Sequence, residues 1–563
     1  MEEEVDPNVY QQDEDEYKAW FKDETTPPPF QLFRRISSKE DAPVTFQSVA
    51  IFPWGESSLG EPSNNTSSDV KEDWLKLVSD FWDAVAVGSE YGLYVFFTFK
   101  KSAPLWVQLP EARLTLDEQK LLKTDKMCVA WAMPSHHPWR PCIIFSRGSL
   151  LYVYDVVGKG LAGAIRGHGG AITSISVHPK DPNLFCTTSR DFTTRIYDLD
   201  LSISEPSHPP GKKPNLKEVP NPHWPPGKKP SLAGAPHGLH LHPSESEGRG
   251  RGRCVIVLLG GRSGGHQAAV LGSAFHFTYP VIATCGLDRT VKIWPVWLKS
   301  SVPKDQIKRE DKPLFSSSML HRARILSVSW LQDDLLMTHS APAIMRNSPD
   351  SKTDKRTYTG PGELVIWRWL GVDRFFPPEF ERHSDIQSLR GCSSDYQESS
   401  SFKLISIHSF PDVPSQYIVP QLSIFQAPWH DTLVLYAYPD GNAVFLLNAA
   451  HMKPRERPAL PEEAKKLLDG PPDTTGAALA DATGRMHLTG EEGVGDEEQE
   501  EEERIILRRP EVAVPKIDAR QIGLDDADID AGRTLMACAM GMGGRVVVGV
   551  GSKATLWVWR YDD

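Results

Sequence analysis

The chain has 563 residues, 40% of them hydrophobic and 16 of them Trp, so it can build a large core, and it holds no run of 18 apolar residues of the kind that spans a membrane. Its seven cysteines are scattered and never form a CxxC pair, which excludes a disulfide framework and a zinc site and points to a reducing compartment. The net charge of −12 sits in two places, residues 1–24 with ten acids and two lysines and residues 491–503 with nine acids and no base; the rest of the chain is mildly basic.

Residues 1–45 alternate acids with isolated aromatics (Tyr10, Tyr17, Trp20, Phe21) and pass through Pro27-Pro28-Pro29, so they read as an acidic flexible arm. The acidic start, MEEEVDPNVY, is unlike a secretory leader. A single propeller is expected over 46–563. Its first blade has strands near 46–54 and 84–97 with a Ser/Asn/Gly-rich loop at 55–70, and residues 111–123 follow as a helical or irregular link. The second blade covers 127–156, with a hairpin turn at Arg147-Gly148 and Tyr154-Asp155 where Trp-Asp is common.

Residues 167–199, GHGGAITSISVHPKDPNLFCTTSRDFTTRIYDL, form one complete WD-repeat unit, the third blade. Four short strands need their entry loop and tight turn pinned, and a buried polar set is tolerable only when paired. His168, a Ser or Thr of 186–189, Asp191 and Tyr197 (in place of the usual Trp) are assigned to that set. At this spacing the His-Asp pair is structural, not catalytic.

Residues 201–253 break the rhythm with two Pro/Gly-rich near duplicates, HGLHLH at 237–242 and GRGRGR at 248–253, and carry eight Lys or Arg against four acids. They read as a basic, disordered insert able to make salt-sensitive contacts with nucleic acid; three histidines on a flexible loop offer no metal geometry. The fourth blade restores the pattern with His266, Asp288 and Trp294. The fifth runs from His321 to Trp369 around a polar insert at 342–361. The sixth takes 402–407, 420–429, 432–438 and 443–448, a third, acidic insert spans 453–511, and 534–563 form the last. The fold class expected is all-β, a seven-bladed WD-repeat propeller with long disordered inserts, closed by pairing N-terminal with C-terminal strands.

The turn HPKDPNL at 178–184, the glycine-led GGRSGGHQAAVLGSAF at 260–275, TCGLDRTVKIW at 284–294, HRARILSVSWLQDDLLMTHS at 321–340 and the closing KATLWVWRYD closely resemble the Extra sex combs or EED family, the propeller subunit of Polycomb repressive complex 2. The resemblance covers about 250 residues, strongest in blades three and four. It implies a nuclear scaffold that binds a SET-domain histone methyltransferase and other Polycomb subunits. It also implies an aromatic cage for a trimethylated lysine of histone H3, where aromatic faces attract the cation by up to about 2 kcal/mol per desolvated contact. On this sequence the cage positions fall on Phe46, Met127, Ile418 and Val419, with Tyr417 just outside, so only Phe46 is aromatic. The resemblance therefore implies scaffolding with methyl-lysine reading weakened or lost, and the histone H3 tail as a weak partner at most.

No GxSxG, P-loop, HExxH or dinucleotide-binding glycine turn is present, so neither an enzyme nor a cofactor or metal is expected. The competing reading is a WD-repeat adaptor of another complex, such as the substrate receptor of a ubiquitin ligase.

Overall fold

The computed structural model describes residues 20–23, 26–37, 44–59, 68–108, 125–203, 248–259, 264–296, 307–346, 357–377, 393–411, 418–427, 429–455 and 514–561. The chain divides into two units, Met1–Lys453 with Lys516–Asp563, and Pro454–Pro515. In the second, only 454–455 and 514–515 are described; residues 456–511 of the expected acidic insert lie outside the described residues, as does the segment 111–123.

In the first unit the strands fall into seven four-stranded sets. From the inner strand outwards, blade one is Phe46–Ile51, Ala84–Ser89, Gly92–Phe97 and Leu105–Gln108; blade two is Val129–Ala132, Cys142–Arg147, Leu150–Asp155 and Gly160–Arg166. Blade three is Ile172–Val177, Leu184–Ser189, Thr194–Ile203 and Gly248–Leu258; blade four is Val270–Phe275, Val281–Gly286, Val291–Pro295 and Phe315–Ser317. Blade five is Ile325–Trp330, Leu335–Ser340, Glu363–Trp369 and Phe402–Ser409; blade six is Gln421–Ala427, His430–Ala437, Ala443–Asn448 and Arg520–Gly523. Blade seven takes Leu535–Gly541, Val546–Gly551 and Thr555–Tyr561 from the C-terminal part and Phe30–Ile36 from the N-terminal part.

Burial follows from stacking. The second strands lie between neighbouring blades and are buried along their whole length, as in Ala84–Ser89, Leu184–Ser189, Val281–Gly286 and Val546–Gly551. They therefore read as continuous runs of small and β-branched residues rather than alternating ones. Inner strands face the channel on one side, and in Ile172–Val177 only Ile172 is fully buried. Side chains on inner strands sew the blades together: Trp131 Nε1 donates to Ala50 O at 2.9 Å, Ser176 Oγ to Ser273 O at 2.6 Å and Trp330 Nε1 to Ala274 O at 3.1 Å.

Several boundaries differ from the sequence reading, each for a physical reason. The arm 1–45 is not flexible throughout. Phe30–Ile36 pairs antiparallel with Thr555–Tyr561, Phe30 opposite Tyr561, and closes the ring. Ahead of it Trp20 and Phe21 are buried; Phe21 packs 3.6 Å from His430 between ring centroids, Asn448 Nδ2 donates to Phe21 O at 2.9 Å, and the Arg520 guanidinium lies 5.2 Å from the centre of the Trp20 ring. Trp20 and Phe21 are anchors, and Tyr10 and Tyr17 lie outside the described residues. The strand 402–409 belongs to the outer edge of blade five, where Phe402 pairs with Trp369, and not to blade six.

The polar insert 342–361 includes a β-hairpin, Ala343–Arg346 against Thr357–Gly360, which rises where other blades have a tight turn. The helix Ser68–Phe81 stands between the first two strands of blade one, beyond the polar loop read from sequence. Its Trp74, Leu77 and Val78 are buried; Trp74 packs 5.1 Å from Trp139 and donates to Glu56 O at 3.1 Å.

The largest revision concerns the insert 201–253. Residues 201–203 extend a strand of blade three, and Gly248–Arg253 open the next, pairing with Gly160–Arg166 of blade two on one side and Thr194–Ile203 on the other. The segment welds two blades into one sheet. Its glycines permit this: Gly250 has φ +77°, and a Cβ there would lie 2.1 Å from Ala162 O. The span 204–247, including HGLHLH, lies outside the described residues.

Candidate functional site: relays and the channel mouth

The polar sets flagged in blades three and four come together. In blade four Trp294 Nε1 is 2.9 Å from Thr284 Oγ1, which is 2.8 Å from His266 Nε2, and His266 Nδ1 is 2.9 Å from Asp288. Only one proton assignment suits a neutral ring: Trp294 donates to Thr284, the Thr284 hydroxyl donates to His266 Nε2, and His266 Nδ1–H donates to the carboxylate. Asp288 also accepts from the backbone of Gln267 at 2.9 Å and from Thr290 at 2.8 Å, which pins the entry loop to the tight turn.

Blade three repeats the relay from His168 to Thr187 (2.7 Å) and Asp191 (3.0 Å), with Gly169 and Thr193 donating to the same carboxylate. Tyr197 takes the Trp position and stacks on Phe185 at 5.1 Å. Burial pushes the His168 imidazole below its ordinary value. Burial alone would raise Asp191, but His168, Arg195 and Thr193 override it and hold the carboxyl at about 2. The pair is a neutral ring beside an ionised acid, both inaccessible. With every proton committed and no room for a substrate, these groups brace the blade.

Blade five keeps half of this. His321 Nε2 lies 2.7 Å from Thr338, but the hairpin replaces the aspartate-bearing turn, and the nearest carboxylate, Glu363, is 3.8 Å from Nδ1. His321 Nδ1 and Trp367 Nε1 have no hydrogen-bond partner among the described residues.

Neighbouring inner strands run the same way, with Thr173 bonded to Val270 and Ser176 to Ser273, so their first residues lie at one mouth of the channel. Two of the five cage candidates are buried there: Phe46 is 2% exposed, its ring 5.3 Å from Tyr94 and 5.7 Å from Phe96, and Met127 is 4% exposed with its N–H donating to Gln47 Oε1 at 3.3 Å. Ile418 and Val419 are half-buried just before the inner strand of blade six, and Tyr417 lies outside the described residues.

One residue absent from the sequence reading connects these groups. Lys126 Nζ, next to Met127, donates to Gln421 Oε1, so a side chain of blade two reaches blade six. The Lys126 side chain is exposed, and burial pushes the thiols of Cys128 and Cys538 up, Cys538 to about 12, so neither offers it a negative charge. Its neighbour Asp125 is 3.3 Å from Arg190. No group of His, Cys, Asp and Glu among the described residues is arranged to hold a metal ion, and no described helix is long and apolar enough to cross a membrane.

Comparison with known proteins agrees with this architecture. The WD domain, G-beta repeat model matches residues 160–198 and 253–295, which lie in blades two to four. The chain is 24% identical over 229 residues to the Polycomb group protein FIE1 of Zea mays, spanning 38% of this chain and 36% of that protein. A chain of Chaetomium thermophilum Polycomb Repressive Complex 2 bound to GSK126 superposes with a TM-score of 0.52 at 14% identity, covering 94% of this chain and 98% of its own length. A chain from an active polycomb repressive complex 2 in the basal state gives a TM-score of 0.52 at 14% identity, covering 94% and 97%. The chain carries WD repeats, shares the fold of those propellers, and is similar to a Polycomb group protein over about a third of that relative's length.

Proposed function

We propose that this chain is an Extra sex combs or EED-type propeller: a non-catalytic scaffold subunit of a nuclear, Polycomb-type histone H3 lysine methyltransferase complex, holding a SET-domain subunit and other complex members, and supporting gene silencing. The observation that carries the reading is the similarity to a Polycomb group protein over 229 residues, together with the HPKDPNL turn in blade three. The completed relays support a bracing rather than a catalytic role for the His-Asp pairs of blades three and four.

Methyl-lysine reading is lost or severely weakened in this proposal. A cage needs open aromatic faces, whereas Phe46 is buried in packing, and Met127, Ile418 and Val419 keep only apolar contact. Lys126 adds a like charge at the same mouth.

Affinity purification of the tagged chain under mild conditions, followed by mass spectrometry, tests the scaffold. A SET-domain methyltransferase is expected as the dominant partner; a ubiquitin-ligase core in its place refutes the proposal. Calorimetry with a trimethylated histone H3 peptide tests the reader, for which micromolar binding abolished by Phe46→Ala contradicts the loss.

A further inference from the structure

Among the described residues the Lys126 ammonium has no counter-ion. It has three donors, and among the described residues one acceptor, Gln421 Oε1, is within bonding distance. Asp125, the adjacent carboxylate, is engaged with Arg190. An exposed cation in this state is open to any anion that reaches the mouth. Its chain neighbour Met127 is buried, and Ile418 and Val419, just ahead of Gln421, are half-buried, so apolar residues flank the Lys126–Gln421 pair in sequence on both blades.

The same face adds a direction. The loops that enter or cap blades three to five expose Arg190, Arg289, Arg322 and Arg324, whereas those of blades six and seven expose Asp440, Asp525, Asp526 and Asp530. A positive arc thus borders the mouth on one side and a negative one on the other.

We propose that the channel mouth is a docking site for an acidic protein segment, which inserts one glutamate or aspartate side chain against Lys126 and Gln421 and lays its remaining acids over Arg289, Arg322 and Arg324. A single short carboxylate can meet Lys126 and Gln421, whereas an extended polyanion such as nucleic acid would also meet the acidic arc of blades six and seven. Neither the scaffold proposal nor its failure decides this site, because the mouth is assayed on the isolated full chain with no methyltransferase present.

Fluorescence anisotropy with a labelled twelve-residue glutamate/alanine peptide is the test, alongside a trimethylated histone H3 peptide and a single-stranded oligonucleotide of matched charge. The acidic peptide is expected to bind best. Lys126→Ala should weaken it by about tenfold, the loss of one charge-assisted hydrogen bond. Gln421→Glu supplies the missing anion from within and should weaken it at least as much while leaving the melting temperature unchanged. Arg289→Ala with Arg324→Ala should weaken it a few-fold and flatten its salt dependence. Tighter binding of the oligonucleotide or the histone peptide overturns the proposal, as does acidic-peptide binding indifferent to both Lys126→Ala and Gln421→Glu.

Discussion

Asp528 is the most exacting test of how the ring is held shut. Its carboxylate is fully buried in the short helix Asp526–Asp530 ahead of blade seven; it accepts from Arg35 Nη1 at 2.6 Å, Arg533 Nη1 at 3.0 Å and Trp557 Nε1 at 2.7 Å. One acid therefore ties the N-terminal strand, the entry loop and the C-terminal strand. Replacing it with Asn keeps the shape but removes the charge and points an amide N–H at a donor.

The Arg35 pair is 37% exposed on the arginine side and, screened by solvent, is worth at most about 1 kcal/mol. Arg533 is 19% exposed and Trp557 is buried. Leaving these two donors poorly paired costs about 2–3 kcal/mol, so Asp528→Asn is expected to destabilise by about 3 kcal/mol against a total of about 5–15. Arg35→Ala should cost less than about 1 kcal/mol. Equilibrium urea unfolding followed by tryptophan fluorescence measures both, and limited proteolysis reads release of Phe30–Ile36. The reasoning fails if Asp528→Asn unfolds at the wild-type urea concentration, or if Arg35→Ala costs as much as Asp528→Asn.

Acid sensitivity has two windows. Burial, reinforced by His321, pushes the His339 imidazole down to about 3 from 6.5, so the unfolded chain takes up a proton that the folded chain refuses; the stability is present above pH 6.5 and is lost as pH falls towards 3. His339→Phe should therefore flatten the stability profile between pH 6.5 and 4, as read by melting temperature, and change little at pH 7, because Nε2 has no partner among the described residues. Asp191, held at about 2, adds stability that is complete above pH 3.8 and disappears as pH falls through 2; Asp191→Asn should remove that lower window. Gly250→Ala, strained at φ +77° and clashing with Ala162 O, is expected to cost about 2 kcal/mol and to accelerate hydrogen exchange across Gly160–Arg166; unchanged exchange there would mean that the weld between blades two and three is not stabilising.

The parts of the molecule legible in its sequence are those determined within one repeat. The His168 and His266 relays follow from spacing, because entry loop, second strand and tight turn lie within 25 residues of each other. What depends on distant pairing was hidden. GRGRGR has the composition of a disordered segment, and only contact with a neighbouring blade turns positive-φ glycines into a strand. Phe402–Ser409 follows a long connection that resembles a boundary between blades, although its partner is the strand before that connection. Lys126 and Gln421 are 295 residues apart, and nothing local marks either one.

Closure by Phe30–Ile36 also has a cost in time. This strand is the first of the described strands to be made, and its partner Thr555–Tyr561 is the last. Until then the N-terminal strand has no mate and the growing propeller has an open edge, a state prone to mispairing with other chains. Arg34 and Arg35, which in the closed ring bond backbone carbonyls of blade one and the Asp528 carboxylate, are without those partners in the waiting strand, and with the acidic stretch before it they are suited to keeping it soluble. Closure of the ring thus waits for Thr555–Tyr561, and any partner or chaperone that shields residues 30–36 during synthesis acts on yield, not on final stability.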